Sequence, residues 1–356
     1  MLKRRLGRTN FEASVVGFGG IPIQHRSREE AVAIVRRALE MGVNYIDTAR
    51  AYHDSEDKIG AAIKECRDQV FVSTKTMQRS KREAAADIDE SLHHLKTEYI
   101  DLLFSHGVDT ESDLNRFLGS GGAIEAFKEA QIAGEVRYIG ISGHRNPVLI
   151  SAIQTGVFDV IMASYNLTNT DADSELFPLA QKLDIGVLIM KPLAGGSLAV
   201  PPEAIRFRAA ERAVTTAETA LRFVLINPLI HTVVPGMGRL SELEANVPLG
   251  NVPQSMGTEE IALLLEKARG LGSTFCQGCN YCVSECPQEI NIPEVFRLLA
   301  FHEQYGMTGY ARAVFQSQHE NRVSQCTECQ SCMERCPAQL EIPQLLEKAK
   351  ITLGQN

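Results

Sequence analysis

Eight of the nine cysteines lie between Cys276 and Cys336, and only Cys66 precedes them. They form one motif written twice: Cys276-x2-Cys279-x2-Cys282-x3-Cys286-Pro287, then Cys326-x2-Cys329-x2-Cys332-x3-Cys336-Pro337. Disulfide frameworks run through small secreted domains. Here a long, cysteine-poor body precedes a short, cysteine-dense tail, which predicts a metal-cluster module on a reduced, intracellular protein. The spacing puts three thiolates on one tight loop and the fourth at the start of a helix. Zinc is the competing occupant, but its structural sites favour two separated pairs of ligands. Two [4Fe–4S] clusters are therefore expected.

The body reads as alternating strand and helix. Strand-like apolar runs are Ser14–Gly20, Val43–Thr48, Val70–Lys75, Ile100–His106, Arg137–Ser142, Val157–Tyr165, Gly186–Pro192 and Thr232–Gly236. Amphipathic stretches separate them, such as Ser27–Met41, with Ala31, Ile34, Val35, Ala38 and Leu39 on one face, and Lys81–Lys96. Eight strand-then-helix units in about 250 residues predict an α/β fold, a closed (β/α)8 TIM barrel. The open, doubly wound alternative lacks its fingerprint, because Gly17-Phe18-Gly19-Gly20 has neither the third glycine nor the later acidic residue. Leu2–Leu6 and Phe11–Ala13, joined by Gly7-Arg8-Thr9-Asn10, predict a β-hairpin that plugs the N-terminal mouth. The expected division is a barrel over residues 1–257 and a cluster domain over residues 258–356.

The tail motif resembles that of two-cluster ferredoxins. The resemblance implies that each fourth cysteine serves the other cluster. One centre would then use Cys276, Cys279, Cys282 and Cys336, and the other Cys326, Cys329, Cys332 and Cys286. The 39-residue insert Pro287–Gln325 holds two helix-like stretches, Pro293–Tyr305 and Thr308–His319. It is too long for the compact hairpin form, so the module resembles the small α-helical ferredoxin-like arrangement.

Four polar residues stand at or just after the carboxyl ends of barrel strands, where such barrels keep their chemistry. Asp47 ends the second strand and Tyr52 follows on its loop, while Lys75 ends the third strand and His106 the fourth. Singly, each has an ordinary structural explanation: a cap, a packing ring, a solvated cation, a strand-end histidine. In this order on successive strands, with Arg4-Arg5-Leu6-Gly7-Arg8-Thr9, Gly17-Phe18-Gly19 and Pro235-Gly236-Met237, the set resembles the aldo-keto reductase superfamily over residues 1 to about 250. With the tail, the whole chain resembles the branch carrying a C-terminal 4Fe–4S ferredoxin-type domain. The resemblance implies Asp47, Tyr52, Lys75 and His106 as catalytic residues. Carbonyl reduction places negative charge on oxygen and needs a proton donor there. An ordinary tyrosine, at a pKa of about 10, is a poor acid near neutrality. A neighbouring ammonium, Lys75 held by Asp47, would lower that value for Tyr52, while His106 orients the substrate oxygen.

The resemblance also implies a nicotinamide cofactor over the barrel mouth, NADPH or NADH. Its expected contacts are Gly19, Gly20, Asp47, Ser142, Met162, Lys191, Pro192, Leu193, Gly195, Gly236, Arg239 and Asn246. The chain departs from the family pattern where Gly143 replaces a common asparagine and Met162 a common glutamine, so two amides that hold the carboxamide are gone. Arg239 favours NADPH, yet Glu242 stands where an arginine is frequent. A flavin would bridge two-electron hydride and one-electron cluster chemistry, but no flavin signature is present.

Composition narrows the partners. Lys and Arg total 36 against 44 Asp and Glu, a net charge of −8, with no dense basic stretch beyond Lys3-Arg4-Arg5. A large nucleic-acid footprint is therefore not expected. The start MLKRRLGRTN has no apolar region after its basic cluster, and no run nears the ~18 apolar residues of a membrane span. The expectation is a cytoplasmic oxidoreductase acting on a small carbonyl substrate, with a redox partner protein for the tail. The alternatives are a nicotinamide-binding redox sensor or electron-transfer subunit with little turnover, and clusters that only staple the fold.

Overall fold

The computed structural model describes residues 1–196, 198, 208–209, 212–213, 215–272, 276, 282–305, 308–336 and 339–354. They fall into two compact units. The first comprises Met1–Asn166, Thr170–Pro192 and Leu221–Met256, the second Leu167–Asn169, Leu193–Ala220 and Gly257–Asn356.

In the first unit eight parallel strands follow one another around a barrel. They are β1 (Phe18–Gly19), β2 (Tyr45–Asp47), β3 (Phe71–Thr76), β4 (Ile100–Ser105), β5 (Val136–Gly143), β6 (Val160–Ser164), β7 (Gly186–Met190) and β8 (Thr232–Val233). Each pairs with its sequence neighbour. Parallel bridges Val16–Val233 and Gly19–Gly236 join first strand to last and close the ring. The order and type of all eight agree with the sequence reading. The sixth strand is shorter than expected because Val157 to Asp159 lie outside the ladder.

The helix α1 (Arg28–Glu40) shows why these segments become helices. Ser27 Oγ accepts from Glu30 N–H while Glu30 Oε2 accepts from Ser27 N–H, a capping box. Ala31, Ile34, Val35 and Ala38 are buried at helical spacing, and Leu39 is half-buried. Then come α2 (Ser55–Ile63), α3 (Lys81–Leu95), α4 (Glu111–Leu118), α5 (Ala123–Ala133), α6 (Asn146–Gln154), α7 (Leu176–Lys182), α8 (Thr216–Leu225) and α9 (Leu240–Asn246).

Strands Lys3–Arg5 and Glu12–Ser14 form the expected antiparallel hairpin. Leu6 and Ala13 are fully buried among Tyr45, Phe71, Leu102, Val160 and Leu188 of the barrel interior. Gly7 adopts φ +49 with its Cα against the Gly186 backbone, and a Cβ there would sit 2.3 Å from Gly186 N.

The second unit carries a short antiparallel pair, Arg208–Ala209 with Arg212–Ala213, and the helices α10 (Thr258–Gly272), α11 (Ile292–Tyr305), α12 (Thr308–Gln318), α13 (Glu320–Ser324), α14 (Ser331–Glu334) and α15 (Ile342–Leu353). Its core gathers Val295, Leu298, Phe315, Val323, Ile342, Leu346 and Leu353. The duplicated sequence is duplicated in structure. After Cys286, Glu289 takes φ +52 and Ile292 N–H donates to Ile290 O as α11 begins. Fifty residues on, after Cys336, Gln339 takes φ +49 and Ile342 N–H donates to Leu340 O as α15 begins. Among the described residues no helix is long and apolar enough to cross a membrane.

Candidate active site and cluster cavity

Strand β2 ends on Asp47 and β3 carries Lys75 one residue before its end, both nearly fully buried. The Lys75 ammonium donates to both Asp47 oxygens at 2.6 Å and to Thr48 O at 2.7 Å, and Ser73 Oγ donates to Asp47 Oδ1 at 2.7 Å. Burial raises the Asp47 carboxyl above its usual range and lowers the Lys75 ammonium below its own, each partner's charge opposing the shift.

The Lys75 nitrogen stands 5.3 Å from the centre of the Tyr52 ring, which meets the His106 ring edge to face at 5.9 Å. Backbone bonds from Tyr52 N–H to Ala49 O and from Ser55 N–H to Tyr52 O hold the loop that carries the tyrosine. His106 N–H donates to Thr76 O, and its carbonyl accepts from Arg79 at 2.8 Å. Burial first, then the Lys75 charge, pushes the His106 imidazole down to about 3, so the ring is neutral near neutrality. Among the described residues its buried Nδ1 has no hydrogen-bond partner. The structure thus brings all four expected catalytic residues together at the carboxyl ends of consecutive strands.

The expected cofactor contacts are less uniform. Gly19 N–H bonds Pro235 O and Gly20 N–H bonds Asp47 O. A Cβ on either would press backbone atoms below 3 Å, so close packing at the barrel seam is itself a reason for both glycines. Gly236 lies against the Pro22 ring. The Ser142 hydroxyl accepts from Gly107 N–H at 3.1 Å and donates to Ser105 O at 3.4 Å. Met162 is buried in the barrel's apolar interior. Asn246 is buried and ends α9, whereas Arg239 is exposed before its start. After β7, Lys191, Ala194, Gly195 and Gly196 all take positive φ, of 55, 48, 68 and 102. Pro192 is buried, and the Leu193 carbonyl accepts from Gly196 N–H and Leu198 N–H. Turns of this kind direct successive N–H groups to one side and suit a phosphate.

Two residues that the sequence reading did not single out join the site. Asp109 accepts from His144 N–H through Oδ1 and pairs with His144 Nδ1 at 3.0 Å through Oδ2. They follow β4 and β5, and His106 senses both charges. A contact between residues 35 positions apart leaves no local trace in sequence. The one available signal was a histidine directly after the strand end Ser142-Gly143.

In the second unit, Cys286, Cys326, Cys329 and Cys332 line one small cavity with Ile290, Ile292 and Leu346. Burial and the charges of Cys286, Cys326 and Cys329 push the Cys332 thiol up to about 11. Four thiolates so placed repel one another unless a cationic group neutralises them. The cavity and its four cysteine donors fit a thiolate-bound metal group. Ile290 N–H approaches Cys286 Sγ at 3.4 Å and Leu340 N–H approaches Cys336 Sγ at 3.5 Å, the same contact in each repeat. Cys276 and Cys282 pack on the core of this unit, while Cys279 lies outside the described residues.

Comparisons with known proteins agree with this division of labour. The profile described as "Aldo/keto reductase family" matches residues 15–267, and that described as "4Fe-4S dicluster domain" matches residues 275–340. The chain is 28% identical over 301 residues to a Bacillus subtilis (strain 168) protein named "Uncharacterized oxidoreductase YqkF", covering 74% of this chain and 95% of that one. It is likewise 28% identical over 307 residues to the L-galactose dehydrogenase of Arabidopsis thaliana, covering 75% and 95%. Among solved structures, the holo form of a Bacillus halodurans aldo-keto reductase superposes with a TM-score of 0.64 at 28% identity, covering 75% of this chain and 96% of that one. The fold is shared with a Klebsiella pneumoniae aldo/keto reductase solved with NADP and acetate, at a TM-score of 0.63 and 23% identity over 74% and 93% of the two chains.

Proposed function

The chain belongs to the aldo/keto reductase family and carries a C-terminal 4Fe–4S dicluster domain, and from that premise we propose that it reduces an aldehyde or ketone with Tyr52 as proton donor, the barrel occupying residues 1–257 and two [4Fe–4S] clusters residues 258–356. It is an NAD(P)H-dependent oxidoreductase. The observation that carries the finer reading is the buried Lys75–Asp47 pair beneath the Tyr52 ring, with neutral His106 across from it.

NADPH, when bound, supplies the hydride. Asp47, Ser142, Lys191 and Pro192 would hold it, with Gly19, Gly20, Gly236, Arg239 and Asn246 as the remaining contacts. Asp47 keeps the Lys75 ammonium in place and charged. That cation, beside the phenol, favours departure of the Tyr52 proton toward the substrate oxygen as negative charge develops there. His106 is neutral, so it offers a ring N–H to the same oxygen without adding a charge. Such general-acid assistance is worth about 10²–10⁴ in rate.

In the tail, Cys326, Cys329, Cys332 and Cys286 would bind one cluster and Cys276, Cys279, Cys282 and Cys336 the other. The clusters supply one-electron steps, for which a redox partner protein is the natural recipient or donor. The substrate is a small carbonyl compound. The test is Tyr52→Phe, which should abolish carbonyl reduction by NADPH while leaving the cluster absorbance unchanged; wild-type turnover in that variant would overturn the assignment. The sensor reading draws on the engaged Ser142 hydroxyl and the apolar Met162. It predicts tight nucleotide binding without turnover across a broad carbonyl panel.

A further inference from the structure

The missing amide at position 143 has a structural cause. A Cβ on Gly143 would stand 2.6 Å from Val108 O and 3.3 Å from Asp109 Oδ1. The loop after β4 occupies the space that an asparagine side chain would enter. At Met162 the side chain is buried among apolar residues and has no amide to offer. Ser142 already spends its one hydroxyl proton on Ser105 O. A carboxamide brought to this side of the barrel mouth therefore needs another partner, because burying a polar group without a hydrogen-bond partner is unfavourable.

The carboxylate that fills the space beside Gly143 is also the one that holds His144. Asp109 takes the backbone N–H of His144 through one oxygen and the ring Nδ1 through the other. Both side chains are largely buried, 14% exposed for Asp109 and 19% for His144. The hydrogen bonds from His144 hold Asp109 below the usual carboxylate range, against its own burial. Burial and then the Lys191 charge push the His144 imidazole below its ordinary value, so that ring is neutral near neutrality. An ionised carboxylate accepts only, so Nδ1 carries the proton and Nε2, on the opposite ring edge, is left as an acceptor. Lys191, at the end of β7, lies close enough for its charge to act on both residues.

We propose that Asp109 and His144 together form the chain's own carboxamide holder, His144 Nε2 accepting from the amide NH2 of the bound nicotinamide and Asp109 fixing the tautomer that makes this possible. His144 is a binding residue in this scheme and Asp109 a positioning residue. The inference rests on the reading that nicotinamide occupies the barrel mouth near Ser142, and wild-type binding tests that separately.

The experiment uses the cluster-replete full chain and measures dissociation constants for NADPH and for 2′,5′-ADP, which shares the adenosine end but lacks nicotinamide. His144→Ala should weaken NADPH about 10-fold or more, in line with a lost hydrogen bond to a buried group, and leave 2′,5′-ADP unchanged. His144→Gln, which restores an acceptor, should regain most of the loss. Asp109→Asn tests the tautomer and should weaken NADPH alone. Unchanged NADPH affinity in His144→Ala overturns the proposal. So does an equal loss for both probes, or a rise only in the KM of a hydroxylated carbonyl substrate, which would assign the pair to substrate. Should His144→Ala fail to fold, Asp109→Asn carries the same comparison, and unchanged NADPH affinity in it overturns the proposal. Failure of the wild type to bind NADPH would instead overturn the cofactor reading itself.

Discussion

At the residue scale, the site is governed by what burial does to charge. Lys75 and Asp47 are each expensive to bury alone, and removing one partner strands the other. Asp47→Asn should therefore lower stability by about 3–5 kcal/mol and abolish turnover. Asp47→Asn with Lys75→Met should recover most of the stability and none of the turnover, which denaturant melts and NADPH consumption would separate. His106 gives a pH signature. Its folded value lies near 3, below the ordinary 6.5, and His231 lies near 4. Between those values the unfolded chain binds more protons, so stability falls as pH falls through the window from about 6.5 toward 3 and is flat above it. From pH 7 to 5 each such histidine should cost about 2 kcal/mol. His106→Gln should flatten the dependence of melting temperature on pH in that range, and an unaltered slope would count against the burial argument.

At the element scale, the barrel strands were legible because their apolar runs alternate with capped amphipathic helices such as α1. The hairpin was legible from Gly7 and its flanking apolar residues, but the reason for that glycine was not. Only the fold brings Gly186 backbone within van der Waals distance of a residue at φ +49. Gly7→Ala should lower stability by more than about 1 kcal/mol, since both the φ and the contact are unfavourable. Leu6 and Ala13 anchor this hairpin at the amino-terminal end of the barrel, so nucleotide affinity, read at the opposite end, should be retained. A large loss of NADPH binding in a folded Gly7→Ala protein would contradict that placement.

At the scale of the whole molecule, hydride chemistry moves electrons in pairs and iron–sulfur clusters move them singly. If the cysteine pairing crosses between the repeats, Cys286→Ala and Cys332→Ala should remove the same centre, each lowering iron from about eight to about four per chain, with identical residual spectra. Different residual spectra would mean that each repeat serves its own cluster. Anaerobic mixing with NADPH, without flavin, addresses electron sharing. Prompt bleaching of the cluster absorbance marks an electron-transfer enzyme. Clusters that stay oxidised while an added carbonyl consumes NADPH mark a tail that is structural or awaits its partner.

The sequence by itself determined the two-part composition of this protein, because thiolate spacing and strand–helix alternation are local patterns written along the chain. It also placed Asp47, Lys75 and His106 at strand ends and Tyr52 on the loop after the second strand. Other features were decided by the tertiary structure alone. The ring distances among Lys75, Tyr52 and His106 are of this kind, as is the engagement of the Ser142 hydroxyl. So are the exclusion of a side chain at position 143 and the pairing of Asp109 with His144. Each depends on atoms that meet only when distant strands close into a ring, and burial, which shifts Asp47, Lys75 and His106 from their ordinary values, exists only once they have.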